Sequence, residues 1–184
     1  MESAGSPRPE KLAFFLGGLQ AGMLGALFSA AWLALGSAFM GRGFWGASNA
    51  VATVLNGGVY RRGLHFSSIA GLALEVIVYS ALGGAIALTL RDTLPRFRRT
   101  LSCIVLALSW FYVAYGLIWP HLAPVVIRVQ PFSMALVGHI IYGGILSRFP
   151  AYAGAVAEPQ TAPEPALEPV PSTPQTGTAP DPET

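Results

Sequence analysis

The chain has 184 residues, of which 53% are hydrophobic and 11% charged, against roughly 25% charged in an ordinary soluble domain, too few to cover a soluble fold of this size. Eleven Lys+Arg and nine Asp+Glu leave a net charge of +2, but five of the nine acids lie after residue 157, so the figure averages a basic membrane portion with an acidic end. Neither an aromatic-basic platform nor a Cys/His finger spacing is present, which argues against a nucleic-acid partner, and the single Cys103 excludes an internal disulfide framework and every multi-cysteine metal or redox motif.

The first eleven residues read as a disordered N-terminus. From Leu12 to Gly41 thirty consecutive positions carry no charge, more than the roughly twenty needed to cross about 30 Å of hydrocarbon. A first span is expected over 12–40. It is twice the length of a cleavable signal core, about 7–15 residues, and reads as retained. Gly18 and Gly22, followed by Ala26, and Gly17, Ala21 and Gly25 recur every fourth residue, giving this span a flat face on which a second backbone can lie closely. The expected partners are Gly83-Gly84 and Gly143-Gly144, within the chain in preference to a second copy.

Residues 44–57 are apolar but glycine-rich. Asn49, Thr53 and Asn56 share one helical face, with Val51, Val54 and Leu55 on another. An amphipathic helix lying in the membrane interface is expected there, begun by Phe44-Trp45 and ended by Gly57-Gly58. The second span is placed at 66–90, with Glu75 inside it. The third covers 101–119, with Pro120 and Pro124 expected to stop the helix. The fourth covers 131–147 and holds His139. From 151 to 184 a disordered tail is expected, since Glu158 to Thr184 contains eight prolines, five acids and no basic or aromatic residue. The fold class is therefore all-α, a polytopic membrane bundle of four transmembrane helices.

Basic residues of short loops are retained on the cytoplasmic side. With the N-terminus inside, Arg8, Lys11, Arg91, Arg96, Arg98, Arg99 and Arg148 fall on the inner side and Arg42, Arg61, Arg62 and Arg128 on the outer. Both termini are then cytoplasmic. Arg61, Arg62, Arg96, Arg98 and Arg99 are candidates for contact with lipid phosphates.

Glu75 is the most informative residue, because a carboxylate at the centre of a spanning helix costs roughly 2.5–3.5 kcal/mol on insertion scales and should face protein or water. At 1.5 Å per residue it lies roughly 14 Å from the outer face and His139 about 12 Å. Tyr79 follows Glu75 by one turn, and Tyr112 falls at about 11 Å from the Trp119 end of its span. A polar cluster of Glu75, Tyr79, Tyr112 and His139 is expected, serving either as a packing lock or as a proton, cation or ligand site. No Walker loop, GxSxG, HExxH or paired-Asp motif appears, and His65, His121 and His139 lack ligand-pair spacing, so neither an enzyme nor a metal or other cofactor is expected.

Gly17-Gly18 with Gly22, Phe44-Trp45-Gly46-Ala47-Ser48-Asn49, Ala81-Leu82-Gly83-Gly84 and His139-Ile140-Ile141-Tyr142-Gly143-Gly144 stand in an order that resembles small four-span bacterial membrane proteins of unknown function, over residues 12–149. The resemblance implies a protein of the bacterial inner membrane and no particular activity. The first expectation for function is a non-catalytic scaffold or accessory subunit. The alternative is a small transporter or proton/ion-pathway protein using Glu75 and His139. The expected partners are the lipid bilayer and either another membrane protein or a second copy.

Overall fold

The computed structural model describes residues 8–90 and 94–157. Their regular structure is entirely helical: α1 (Arg8–Phe39), α2 (Gly46–Ala52), α3 (Phe66–Leu90), α4 (Arg96–Val113), a π-helical turn (Ala114–Ile118), α5 (Trp119–Leu122), α6 (Pro124–Val129), α7 (Phe132–Leu146) and α8 (Phe149–Ala157). Four stretches are long and apolar enough to cross a membrane: Glu10–Phe39, Phe66–Leu90, Arg96–Leu122 and Phe132–Ala155. With 25 residues, α3 alone is about 38 Å long, against about 30 Å of hydrocarbon. The chain is thus an all-α, multi-pass membrane protein.

Several boundaries differ from expectation. Residues 8–11, expected to be disordered, form the first turn of α1. The third span continues past Trp119, because Pro120 falls in the first turn of α5, where its missing amide is tolerated. The turn before it widens into the π segment. The stop comes at Ala123, held at φ −152° and ψ 72° ahead of Pro124, as the residue before a proline is kept out of the helical region. At the far end, residues 151–157 were expected in the tail but belong to α8. Pro150 stands in the first turn of that helix, and fully buried Phe149 meets Phe14 edge-on at 6.2 Å between centroids. The rest of the expected tail, 158–184, lies outside the described residues, as do residues 1–7.

The expected interfacial helix over 44–57 is corrected to the seven-residue α2, every residue of which is buried. It packs on α3, with further contacts to α1 and α6. Its polar face points inward because α3 offers it partners there: Ser68 Oγ donates to Asn49 Oδ1 at 2.6 Å, and Asn49 Nδ2 donates to the Gly63 carbonyl at 2.8 Å. The absence of a side chain at Gly71 lets the Ser48 carbonyl and Ala52 lie directly on α3. Asn49→Ala deletes both hydrogen bonds in a buried site and is expected to destabilise the fold by about 1–3 kcal/mol. The measurement is heating in mild detergent with a thiol-reactive dye, because the single cysteine, Cys103, is completely buried and reacts only on unfolding.

α1 is the centre of the bundle, packed on α3 along one side and on α7 and α8 along others, while α4 leans on α7. The small-residue face divides between these partners. A Cβ at Gly18 would lie 2.5 Å from Ala87 Cβ and 2.6 Å from the Gly83 carbonyl, and one at Gly22 2.8 Å from the Tyr79 carbonyl, all on α3. Gly17 meets the backbone of Phe149 and Ala153, Gly25 meets the Tyr142 ring, and Ala21 is fully buried between them. The contact is within one chain. Gly83 receives α1 as expected, whereas Gly143 instead accepts α4, at Cys103 and Ile104, and Gly144 faces open space. The diagonal pairs α1–α4 and α3–α7 scarcely meet, and of the neighbouring pairs α3 and α4 share by far the smallest contact. The bundle therefore runs α3, α1, α7, α4, with a gap between its first and last members.

Candidate functional site

Along α3 the buried residues Ser68, Gly71, Glu75, Tyr79 and Gly83 follow steps of three, four, four and four, which places them on one helical face. That face points into the bundle, and Glu75 goes with it. Glu75 is 8% exposed, and its carboxyl forms no hydrogen bond or ion pair with any described residue. It lines a cavity of about 280 Å³ whose polar neighbours are Tyr79, Tyr115, Gln130 and His139 and whose remaining wall is apolar and aromatic, including Trp110 and Trp119.

Tyr79 and His139 meet as expected, with Oη and Nε2 2.7 Å apart and buried. His139 Nδ1 lies 2.7 Å from the Ala135 carbonyl. A carbonyl only accepts, so the neutral ring carries its proton on Nδ1 and Nε2 accepts from the Tyr79 hydroxyl. The pair is supported from behind. Tyr142, fully buried, donates its hydroxyl to the Tyr79 carbonyl at 2.8 Å, and the two rings pack edge to face at 4.9 Å. Phe111 closes the other side of His139, with centroids 4.9 Å apart.

Tyr112 is not part of this cluster. It is 59% exposed, because the neighbouring Phe111 occupies the inward position and one residue is a turn of about 100° on a helix. The places expected for Tyr112 are taken by Trp110 and Tyr115. Tyr115 lies in the π turn, where it donates to the Gln130 carbonyl. The extra residue of a π turn rotates the chain after it, and such turns recur at functional sites. Tyr142 was within reach of sequence reasoning, since it follows His139 by three residues on an expected helix. Gln130 was not, as it lies in the short link between α6 and α7.

The arginines expected at the lipid surface occupy both ends of the bundle. Arg96, Arg99 and Arg148 line an open recess of about 610 Å³ with Thr100 and Ser147. Arg99 Nε donates to the Ser147 carbonyl at 3.1 Å, tying the start of α4 to the end of α7. Arg98 is exposed beside this recess without lining it. At the opposite end Arg42 donates to the Val129 carbonyl. Arg61 lines a second open recess with Asn56 and His65, and the Arg62 carbonyl accepts from His65 Nε2 at 2.8 Å.

Among the described residues no three His, Cys, Asp or Glu side chains converge as a metal site would require. Compared with known protein families, curated proteins and solved structures, the chain matches none.

Proposed function

We propose that this chain is a small membrane transport protein, binding and passing a proton or cation through the cavity of Glu75 and His139 without covalent catalysis. The observation that carries this reading is the unpaired Glu75 carboxyl facing that cavity. A packing lock would be expected to hold its carboxyl in hydrogen bonds to a neighbouring helix. Here the locks are others, Tyr142 on Tyr79 and Asn49 on Ser68, and Glu75 is left over. Intramembrane acids placed in this way recur on ion and proton pathways.

The test is proton flux into dye-loaded proteoliposomes under an imposed pH gradient. Wild-type chain is expected to dissipate the gradient, and Glu75→Gln to return the rate to that of protein-free vesicles while keeping Cys103 protected. Equal rates for wild type and variant would sink the reading. The second reading, a non-catalytic scaffold or accessory subunit, draws on α4, the least buried of the four spans. Its outward Leu101, Val105 and Val113 offer a stripe that another membrane protein or a second copy would cover in place of lipid.

The proposed location is the bacterial inner membrane, with both termini cytoplasmic. The arginine asymmetry supports this orientation, because Arg96, Arg98, Arg99 and Arg148 gather at one end and Arg42, Arg61, Arg62 and Arg128 belong to the other. Contact of the first group with lipid phosphates follows from the same placement. A reporter enzyme active only outside the cytoplasm, fused after Thr184, is expected to stay inactive. An active fusion would reverse the orientation.

A further inference from the structure

We propose that the Glu75 cavity binds the ammonium group of a hydrophobic monoamine, admitted sideways from the lipid through the gap between α3 and α4. This rests on reading the cavity as a cation site and narrows it to one class of ligand.

The first argument is the balance of donors and acceptors. Tyr79 spends its hydroxyl proton on His139, His139 its Nδ1 proton on Ala135, Tyr115 its proton on the Gln130 carbonyl, and Gln130 Nε2 reaches the Ala47 carbonyl at 3.5 Å. No lysine or arginine lines the cavity. Arg42, near Tyr115, is turned to the Val129 carbonyl. Trp110 gives its indole proton to Tyr79, and the Glu75 oxygens are left as acceptors that no described residue donates to. An anion would find no cationic side chain here and would face the Glu75 carboxyl, whereas an ammonium supplies both the donors and the charge that Glu75 lacks.

The second argument is composition. A lone carboxyl is too few ligands for a dehydrated metal ion, which takes about four to eight. The walls instead carry Trp110, Trp119, Tyr115 and Tyr79 among aliphatic side chains, and aromatic faces attract organic cations while accommodating their apolar part. At about 280 Å³, the cavity stands near the lower end of the range for small-molecule pockets, about 300–1,000 Å³. That size suits a single ring with a short amine arm.

The third argument is access. Val78 and Leu122 belong to the cavity wall and are 37% and 60% exposed. They stand on α3 and α5, on the side where α3 and α4 hardly touch. Val78 stands midway along α3, so with α3 spanning the bilayer this opening faces the hydrocarbon chains. A lipid-dissolved amine reaches Glu75 without crossing the polar ends.

The experiment uses the full chain in nanodiscs and dicyclohexylcarbodiimide, a lipid-soluble reagent that captures protonated carboxyls, with intact mass and peptide mapping as readout. Glu75 is expected to be labelled in wild type, and the label lost in Glu75→Gln. Phenylethylammonium at ten times its dissociation constant is expected to slow labelling about tenfold, while propylbenzene, its neutral counterpart, leaves the rate unchanged. Equal protection by both compounds, or by neither, overturns the ammonium site and leaves the cation-site reading standing. Failure of Glu75 to label in wild type overturns that reading as well. Val78→Trp, at an exposed position, is expected to slow labelling by narrowing the gap, and an unchanged rate overturns the sideways route.

Discussion

Gly18→Leu is expected to abolish the cooperative unfolding transition, leaving Cys103 reactive at the lowest temperature measured. A side chain at this position has no room. Its first carbon would meet Ala87 Cβ at 2.5 Å, the Gly83 carbonyl at 2.6 Å and Gly84 Cα at 2.9 Å, two of which are backbone atoms that no rotamer change can move. Overpacking of a core costs about 1–3 kcal/mol where side chains can yield, and here the helices themselves must separate. The separation falls between α1 and α3, the broadest contact of the bundle. Gly144→Ala is the matched control, because nothing lies within 4 Å of its added carbon and alanine favours a helix over glycine by about 1 kcal/mol. A Gly18→Leu midpoint close to that of the control would show that the two helices do not depend on this contact.

Tyr142→Ala is expected to lower stability by about 3–5 kcal/mol, the range for removing a large buried aromatic side chain. The residue is among the largest with no exposure, and its ring fills the space left by Gly25 on α1. Tyr142→Phe separates packing from hydrogen bonding. It keeps the ring and loses only the 2.8 Å bond to the Tyr79 carbonyl, a change of about 1 kcal/mol. Thermal midpoints from Cys103 reactivity compare the two directly. The alanine variant is also expected to lower proton flux, since the ring that fixes Tyr79, and through it His139, is gone. Equal midpoints for the two variants would place the weight on the hydrogen bond instead.

The candidate site was partly legible because helical spacing and depth are properties of sequence. Glu75 and Tyr79 are one turn apart, and Glu75 and His139 come to similar depth by counting residues from their helix ends. Only rotation about each helix remained open. For α3 the run of Ser68, Gly71, Glu75, Tyr79 and Gly83 fixes that rotation. For α4 the corresponding run is Cys103, Ala107 and Phe111, small and apolar residues that stand out little from their neighbours in the sequence, and Phe111 rather than Tyr112 turned inward, a difference of one residue that composition does not resolve. The burial of α2 is hidden in the sequence for a related reason: Asn49 and Thr53 form a polar face whether the partner is a headgroup or Ser68, and the choice depends on how α3 lies. Composition sets the start of the tail at residue 151, yet a proline such as Pro150 also opens helices, and the buried surfaces of Phe149 and Ala153 decide in favour of α8.

The position of α8 against α1 bears on how the protein is made. α1 leaves the ribosome before the other described helices, but Gly17 finds its partners in Phe149 and Ala153 and Gly25 finds its own in Tyr142. All three belong to the last part of the bundle to be synthesised. The pairing with α3 can form early, while the other side of α1 must wait in the bilayer or beside the insertion machinery until α7 and α8 emerge. Closure of the bundle is thus a late step of biogenesis. A nascent chain halted before α7 would carry an unpaired strip of glycine and alanine, open to quality control or to the wrong helix.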